Sequence, residues 1–313
     1  MSRQLFNPAS QPRQPLLITG ANGTLGKAFA RVCQIRGIEA VALTRQDMDI
    51  ADLGSIERAL ERYNPWAVIN TAGYVRVDDA ETDAERCFRE NSTGPAMLAT
   101  VCAAHGVQLL TFSSDLVFDG YKTDPYVESD KARPLNVYGQ SKQRAEREVL
   151  KRMKGALVVR TSAFFGPWDE YNFVHFVLRS AREGTAFEAA DDVQIAPTYV
   201  PCLANTALDL LIDDERGIWH LANQGSCSWA ELARMAAEQA GFSSDFVVGR
   251  PMGSFNLQAA RPLQSVLSSE QGVMLPPLEA SLRQYLLDIG HSPSHDLGLL
   301  SAGCSSKGTK VPG

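Results

Sequence analysis

The chain has 313 residues, of which 44% are hydrophobic and 21% are charged, as is typical of a globular protein whose core fills one large or two closely packed domains. Its formal charge of -6 offers no basic surface to a nucleic-acid backbone, which excludes nucleic acid as an expected partner. The sequence contains neither an apolar run of about 18 residues nor a signal-peptide pattern, so we expect no membrane association and predict a cytoplasmic location.

The first predicted unit is a strand, a glycine-rich turn and a helix. The apolar run Leu16–Thr19 suits a strand buried on both faces, and the apolar spacing of residues 25–35 predicts a helix. Between them lies the turn Gly20-Ala21-Asn22-Gly23-Thr24-Leu25-Gly26, whose first glycine gap is one residue longer than usual. Such a turn lets backbone N–H groups approach a pyrophosphate at a helix N-terminus, so the unit predicts a dinucleotide site.

The end of the second predicted strand, residues 39–43, indicates which dinucleotide binds. An acidic residue at this position would hold the free ribose hydroxyls of NAD, but this chain has Thr44-Arg45. Because an arginine can pair with a 2'-phosphate, Arg45 favours NADP(H), and NAD(H) is the alternative cofactor.

Strands and helices alternate through the first half of the chain. Further strands are predicted at residues 67–70, 108–112 and 156–161, and helices at residues 53–63, at 82–105 with a break at Gly94-Pro95, and from Tyr138 onward. This alternation predicts an α/β fold with a doubly wound parallel, Rossmann-like sheet in residues 15–162. The less regular residues 163–290 predict a smaller mixed substrate domain, some of whose segments return to the main sheet.

The remaining segments carry weaker signals. Residues 1–14 have little apolar content and predict a mobile leader, whereas residues 291–313 are rich in Ser and Gly and predict a loose tail. The six cysteines are scattered and form no Cys-x-x-Cys pair, which predicts reduced thiols. The histidines have no carboxylate or cysteine at ligand spacing, so no catalytic metal is predicted.

A tyrosine and a lysine, Tyr138 and Lys142, stand four residues apart at the start of a predicted helix. Residues at this spacing share one helix face, so the ammonium can lie beside the phenol and favour its ionised form. A free tyrosine titrates near ~10, and a nearby cation lowers that value. The spacing alone fits either a tuned proton donor or an exposed tyrosine beside a solvated lysine. The hydroxyls of Ser113-Ser114 follow the strand predicted at residues 108–112.

Four segments together resemble the extended short-chain dehydrogenase/reductase family: residues 19–26, 70–73, 113–114 and 138–142. Within it, the chain is similar to the dTDP-4-dehydrorhamnose reductases through residues 113–120, 134–142 and 160–162, and further along through Asn172-Phe173, Pro197-Thr198 and Arg261-Pro262. The resemblance covers about residues 15–290. It implies an NAD(P)-dependent oxidoreductase that reduces a nucleotide-activated 4-keto-sugar, and a homodimer is a possible assembly.

The resemblance also implies a role for each motif. Ser114, Tyr138 and Lys142 would be catalytic: Tyr138 would protonate the developing alkoxide, Lys142 would bind the nicotinamide ribose and depress the tyrosine pKa, and Ser114 would hydrogen-bond the reacting oxygen. The cofactor would contact Gly20, Asn22, Gly23, Thr24, Leu25, Gly26, Arg45, Asp49, Ile50, Ala72, Gly73, Tyr74 and Ser113, together with Tyr138 and Lys142.

Two positions on the substrate side depart from the pattern of these reductases. Leu116 stands where the family usually has Tyr, and Ala163 where it usually has Trp. The loss of two aromatic rings should enlarge or reshape the sugar pocket, because each ring supplies a large packing surface. The candidate substrate residues are Leu116, Ala163, Asn172 and Arg261. A further departure is Ser114, which replaces the usual Thr but keeps the hydroxyl.

Other functions on the same scaffold are open from the sequence. A sugar dehydratase would need an acid pair, but Asp115 is followed by Leu116 rather than Glu. An epimerase generally retains NAD and carries an acid where this chain has Arg45. A third reading is an NADP-binding regulatory subunit similar to the β subunit of methionine adenosyltransferase, since a shared fold does not guarantee catalysis.

Overall fold

The computed structural model describes residues 14–169 and 171–291, and the predicted leader and tail lie almost entirely outside this range. The strands are β1 (Leu16–Thr19), β2 (Ala40–Leu43), β3 (Ala67–Asn70), β4 (Gln108–Ser114), β5 (Leu157–Thr161), β6 (Phe164–Phe165), β7 (Phe187–Ala190), β8 (Thr198–Tyr199), β9 (Gly217–His220), β10 (Asn223–Gln224), β11 (Val247–Arg250) and β12 (Leu275–Pro277). The α-helices are α1 (Thr24–Arg36), α2 (Leu53–Tyr63), α3 (Ala84–Phe88), α4 (Gly94–His105), α5 (Val137–Arg152), α6 (Phe173–Glu183), α7 (Val200–Ile212), α8 (Trp229–Gln239) and α9 (Leu278–Asp288).

A six-stranded parallel sheet of order β2-β1-β3-β4-β5-β9 forms the centre of the fold. All four residues of β1 and all four of β3 are buried, which explains why these strands are continuous apolar runs rather than alternating ones. Helices connect successive strands, as parallel pairing requires. The predicted α/β, Rossmann-like architecture is confirmed, and the carboxyl ends of β1, β3 and β4 share one edge of the sheet.

The helix predicted at residues 82–105 is interrupted, and the break lies earlier than predicted. After α3, residues Arg89–Thr93 form a π-helical turn before α4 begins at Gly94. Pro95 has no N–H to donate to the preceding turn, which favours an irregular ladder on its N-terminal side. The turn directs Asn91 inward, where its side chain exchanges hydrogen bonds of 2.8 and 3.0 Å with the backbone of Tyr74.

The second half of the chain builds small structures over the strand ends. Three two-stranded parallel sheets pair β6 with β8, β7 with β11, and β10 with β12. Strand β9 leaves this region and pairs with β5 in the main sheet. A chain segment from the second half therefore completes the central sheet of the first.

A buried ion pair fastens helix α5 to the sheet. Arg160 on β5 donates from Nε and Nη2 to the two carboxylate oxygens of Glu146, both at 2.8 Å. Both residues are buried, and a bidentate arginine–carboxylate pair fixes direction as well as distance. The helix that carries Tyr138 and Lys142 thus has a defined orientation on β5.

Cysteine chemistry agrees only in part with the prediction of reduced thiols. Cys33, Cys87, Cys102 and Cys227 are buried free thiols. Cys202 departs from the prediction because it is disulfide-bonded. Across residues 14–169 and 171–291, no helix is both long and apolar enough to cross a membrane.

Candidate active site

A groove of about 460 Å³ opens at the carboxyl ends of β1, β2 and β3. Open parallel sheets bind ligands at this edge, because the strand-to-helix loops converge there. Ten of the predicted cofactor residues line the groove: Gly20, Asn22, Gly23, Thr24, Leu25, Arg45, Asp49, Ile50, Ala72 and Gly73. The five others, Gly26, Tyr74, Ser113, Tyr138 and Lys142, lie outside its lining.

The glycine turn has the close backbone approaches that a pyrophosphate cradle needs. Gly20 has a positive φ of 71°, and a Cβ on it would lie 2.8 Å from the Ala72 nitrogen. Gly26 is buried behind the turn, and a Cβ on it would lie 2.2 Å from the Gly20 carbonyl oxygen, so this position requires glycine. Helix α1 receives no side-chain cap at Gly23, so its first amides are left for a ligand.

Two arginines face the groove, and both are paired with carboxylates. Arg45 Nη2 lies 2.7 Å from Glu90 Oε1, and Arg89 Nη2 lies 2.7 Å from Asp49 Oδ2. Partial burial raises the pKa of Asp49, but the hydrogen bonds from Arg89 and from the Ala51 N–H outweigh it and hold that pKa below its ordinary value. The groove therefore has two arginines near the end of β2, and each of them already has a carboxylate partner.

Replacing Arg45 with Asp is expected to shift cofactor preference from NADPH toward NADH. Removing a charge-assisted contact to the 2'-phosphate should change the ratio of the two affinities by about ten- to hundredfold. Titration of the purified variant with each cofactor measures that ratio. Arg31→Asp is the matched control, because Arg31 is exposed on α1 and lies outside the groove. An unchanged ratio in Arg45→Asp would show that Arg45 does not contact the phosphate.

Tyr74 does not face the groove, although it was predicted to line the nicotinamide side. Its ring packs with Ala80 and Cys87 in a small apolar cluster against which Tyr138 also packs. The backbone hydrogen bonds to Asn91 turn the chain at this point, so Gly73 and Val75 reach the groove and the side chain between them does not. The Tyr74 side chain thus packs against Tyr138, and its place on the nicotinamide side stays a prediction.

Helix α5 places Tyr138 and Lys142 beside the end of β4. Asn136 caps the helix by accepting a hydrogen bond of 2.7 Å from the Gly139 N–H. Lys142 Nζ lies 5.7 Å from the centre of the Tyr138 ring and donates to the Phe112 carbonyl oxygen at 3.2 Å. A Cβ on Gly73 would lie 3.6 Å from that ammonium, so Lys142 borders the groove where the chain has no side chain.

The third predicted catalytic residue, Ser114, completes this cluster. Ser114 acts on the Tyr138 phenol as a hydrogen-bonding neighbour that lowers its pKa, and Ser114 Oγ donates to Asp115 Oδ1 at 3.0 Å and accepts from the Leu116 N–H at 3.1 Å. Asp115 also accepts from the hydroxyls of Ser162 and Ser265, at 2.8 and 2.7 Å. Burial raises the pKa of Asp115, and these hydroxyl donors oppose the shift. The neighbouring Ser113 is buried, and its Oγ has no hydrogen-bond partner among the residues that the structure describes.

The electrostatics of the Tyr138 and Lys142 pair differ from the expectation. Burial and the negative charge of Asp115 raise the pKa of Tyr138, instead of Lys142 depressing it. Burial also lowers the pKa of Lys142 to about 8. Loss of hydration thus outweighs the mutual effect of the two groups, and Tyr138 is a neutral phenol at pH 7.

Gly139 permits the close contact that positions Tyr138. A Cβ at this residue would lie 2.1 Å from the Leu116 carbonyl oxygen and 2.9 Å from Pro134 Cβ. We expect Gly139→Ala to displace the start of α5 from Leu116 and to lower kcat at least tenfold, with a stability loss of about 1–3 kcal/mol. The control is Gln140→Ala at the next, exposed position. Wild-type kcat in Gly139→Ala would contradict this account of the contact.

A second cavity, of about 600 Å³, adjoins the groove, and Phe164 and Asp169 line both. All four predicted substrate residues, Leu116, Ala163, Asn172 and Arg261, line this second cavity. Two of them already have structural partners. The Asn172 side chain caps α6 by accepting from the His175 N–H at 2.9 Å, and Arg261 donates to both carboxylate oxygens of Asp78, at 2.7 and 2.6 Å. Leu116 and Ala163 make the wall near Ser114 apolar.

Several residues at the site were not predicted from the sequence. Glu90 and Arg89 reach the groove from the π-helical turn, inside a stretch that sequence periodicity predicted as ordinary helix. Asp169 accepts a hydrogen bond of 3.0 Å from the Thr24 hydroxyl and so connects the glycine turn with the second cavity. No local signal could have identified these contacts, because their partners are far apart in the sequence. In the described part of the chain, no group of three or more His, Cys, Asp or Glu side chains could hold a metal ion.

Comparison with known proteins gives consistent matches along the chain. Residues 14–287 match the family model described as the RmlD substrate binding domain. The spore coat polysaccharide biosynthesis protein SpsK of Bacillus subtilis is 32% identical over 275 residues, which cover 87% of this chain and 96% of that protein. The dTDP-4-dehydrorhamnose reductase of Mycolicibacterium smegmatis is 36% identical over 271 residues, which cover 85% of this chain and 82% of that protein.

The fold is also similar to solved structures. The crystal structure of dTDP-4-dehydrorhamnose reductase from Bacillus anthracis, in complex with NADP, matches with a TM-score of 0.85 and 27% sequence identity. The match covers 88% of this chain and 100% of that one.

Proposed function

Because the chain belongs to the family described as the RmlD substrate binding domain, we propose that it is an NADP(H)-dependent reductase of a nucleotide-activated 4-keto-sugar, similar to dTDP-4-dehydrorhamnose reductase. It is thus an NAD(P)-dependent oxidoreductase of the short-chain dehydrogenase/reductase type. The observation that carries the proposal is the position of the Ser114, Tyr138 and Lys142 cluster. Lys142 borders Gly73 of the cofactor groove, and Ser114 adjoins Asp115 and Leu116 of the second cavity.

NADPH, when bound, supplies the hydride that attacks the keto carbon. The glycine turn and the free amides of α1 fit its pyrophosphate, and Arg45 fits its 2'-phosphate. The chain's own residues handle the proton. Tyr138, a neutral phenol, protonates the oxygen as negative charge develops on it, and Ser114 hydrogen-bonds the same oxygen. The Lys142 ammonium stabilises the phenolate that Tyr138 becomes.

The alternatives have less support. Epimerases that retain NAD generally carry an acid at the end of the second strand. This chain has Arg45 there, which counts against an epimerase. A regulatory subunit has no need of a serine, a tyrosine and a lysine gathered between two cavities. The relatives named above as dTDP-4-dehydrorhamnose reductases favour catalysis over both.

The direct test is NADPH oxidation by the purified protein with a panel of nucleotide 4-keto-sugars, followed by the loss of absorbance at the reduced nicotinamide. The panel should vary the nucleotide and the ring substituents, because Leu116 and Ala163 leave an apolar wall in the second cavity. We expect turnover with at least one dTDP-linked 4-keto-sugar. No turnover by protein that demonstrably binds NADPH would overturn the reductase proposal.

The setting of the enzyme is also part of the proposal. We place it in the cytoplasm, as a homodimer that does not bind nucleic acid. Its acidic balance, with a formal charge of -6, supports the last point. Sedimentation equilibrium would test the dimer, and a monomer at micromolar concentration would contradict it.

A further inference from the structure

A buried carboxylate competes for the arginine that faces the 2'-phosphate position. Glu90 is buried on the π-helical turn, and its Oε1 lies 2.7 Å from Arg45 Nη2 and 2.9 Å from Arg86 Nε. The Arg45 side chain is 56% exposed, against 8% for that of Glu90. The carboxylate is therefore fixed, and the arginine is the partner that can move. The two arginines hold the pKa of Glu90 below its ordinary value, although its burial acts in the opposite direction.

Glu90 supplies a group that β2 itself lacks. A carboxylate near the adenosine ribose can accept hydrogen bonds from free ribose hydroxyls, whereas an arginine at that place pairs with a 2'-phosphate. The two residues directly after β2 are Thr44 and Arg45, neither of them acidic. Of the carboxylates that follow, Asp47 accepts from Thr44 and Asp49 is held by Arg89, whereas Glu90 reaches the same end of the groove from the π-helical turn and pairs with Arg45 itself. One site thus contains the recognition group for each of the two ribose forms.

We propose that Glu90 is a specificity-determining residue that sets the preference between NADPH and NADH through its ion pair with Arg45. This rests on the cofactor part of the proposed function. When the ribose carries a phosphate, Arg45 leaves Glu90 and pairs with the phosphate. When the ribose carries a free hydroxyl, Arg45 stays on Glu90, and the carboxylate accepts the hydroxyl.

The exchange is feasible because Glu90 keeps a second partner. A buried charge without any counter-ion is strongly destabilising, but Arg86 lies one helical turn before Glu90 and remains bound when Arg45 moves. Arg89, the other arginine of the groove, is held by Asp49 at 2.7 Å. Arg45 is therefore the arginine of the groove whose release Glu90 controls.

The experiment measures dissociation constants for NADPH and NADH, without substrate, in wild type and in Glu90→Gln. Loss of the competing charge should raise the ratio of the NADH to the NADPH constant about tenfold, through tighter NADPH and weaker NADH binding. Glu85→Gln is the matched control, because it removes one negative charge from an exposed site on α3 outside the groove. In Glu85→Gln, the ratio of the NADH to the NADPH dissociation constant should stay within about twofold of the wild-type ratio.

An Arg45→Gln background separates the ion pair from a general charge effect. In the Arg45→Gln background, Glu90→Gln should tighten NADPH binding by less than a third of the factor by which it tightens NADPH binding in the wild-type background. An equal effect in both backgrounds, or a ratio in Glu90→Gln that matches Glu85→Gln, would overturn the proposal.

If Glu90→Gln does not fold, Glu90→Asp takes its place. Its side chain is too short to keep the ion pair with Arg45, so it should also raise the ratio of the NADH to the NADPH dissociation constant. Because no turnover is measured, a failed reductase assay leaves this test valid, and a wild type that binds neither cofactor overturns both proposals.

Discussion

Replacing Tyr138 with Phe is expected to lower kcat by a factor of about 10²–10⁴, the usual contribution of a positioned general acid. The substitution removes only the phenolic oxygen, and the ring keeps its packing against Tyr74, Ala80 and Cys87. Because Tyr138 does not line the cofactor groove, the dissociation constant for NADPH should stay within a few fold of wild type. Stopped-flow reduction under single-turnover conditions, together with NADPH titration, measures both quantities.

The control for this variant is Tyr121→Phe, which removes a hydroxyl from a ring that is 86% exposed and lines neither cavity. It should keep wild-type kcat and NADPH affinity. Normal turnover by Tyr138→Phe would remove Tyr138 from the role of proton donor. A large loss of NADPH affinity in the same variant would indicate that the phenol acts on the cofactor instead.

The second large effect is a fall of kcat/KM at alkaline pH. The pKa of Lys142 is lowered to about 8 by burial, so the side chain is a cation below that pH and a neutral amine above it. In the proposed mechanism the cation stabilises the Tyr138 phenolate, so kcat/KM should fall about tenfold per pH unit on the alkaline side, with a midpoint near 8. Tyr138 cannot produce this decline, because its own pKa is raised.

Lys142→Arg tests the assignment, since a guanidinium stays charged at every accessible pH. The fall of kcat/KM at alkaline pH should disappear in Lys142→Arg, even though this variant has a lower rate than wild type. Lys142→Met should be nearly inactive throughout, and at pH 7 it should be more stable to heat than wild type. The sign follows from the depressed pKa: the cost of burying the cation is present in full below about 8 and is relieved as the pH rises above that value. An unchanged alkaline limb in Lys142→Arg would contradict the assignment.

Much of the central fold was predictable because its signals are local. The bounds of β1, α2 and β3 agree with those predicted from apolar runs and periodicity, and α5 starts within one residue of its predicted start. Among the strands that were not predicted, β7 and β11 are each four residues long and pair with each other across about 60 residues of sequence. Pairing of that kind depends on the tertiary fold, which no local pattern encodes.

The candidate site also combines features that local sequence patterns predict with features that they do not. The glycine turn and the Tyr138 and Lys142 spacing are local patterns, and their groups do meet at one edge of the sheet. The ion pairs around Arg45 and Arg261, and the capping role of Asn172, depend on partners elsewhere in the chain or on the local turn. The raised pKa of Tyr138 was also missed, because spacing reveals the neighbouring lysine but not the degree of burial.

The capping residue of α5 has a consequence for how the enzyme is made. Asn136 caps the helix that carries Tyr138, and its Nδ2 also donates at 2.8 Å to the carbonyl oxygen of Ala260, 124 residues later. At ~5–20 residues per second, the ribosome adds that partner on the order of ten seconds after Asn136. The nascent protein can thus form several of its central strands early, but the hydrogen bond that ties the cap of α5 to Ala260 forms only after residue 260 has been synthesised.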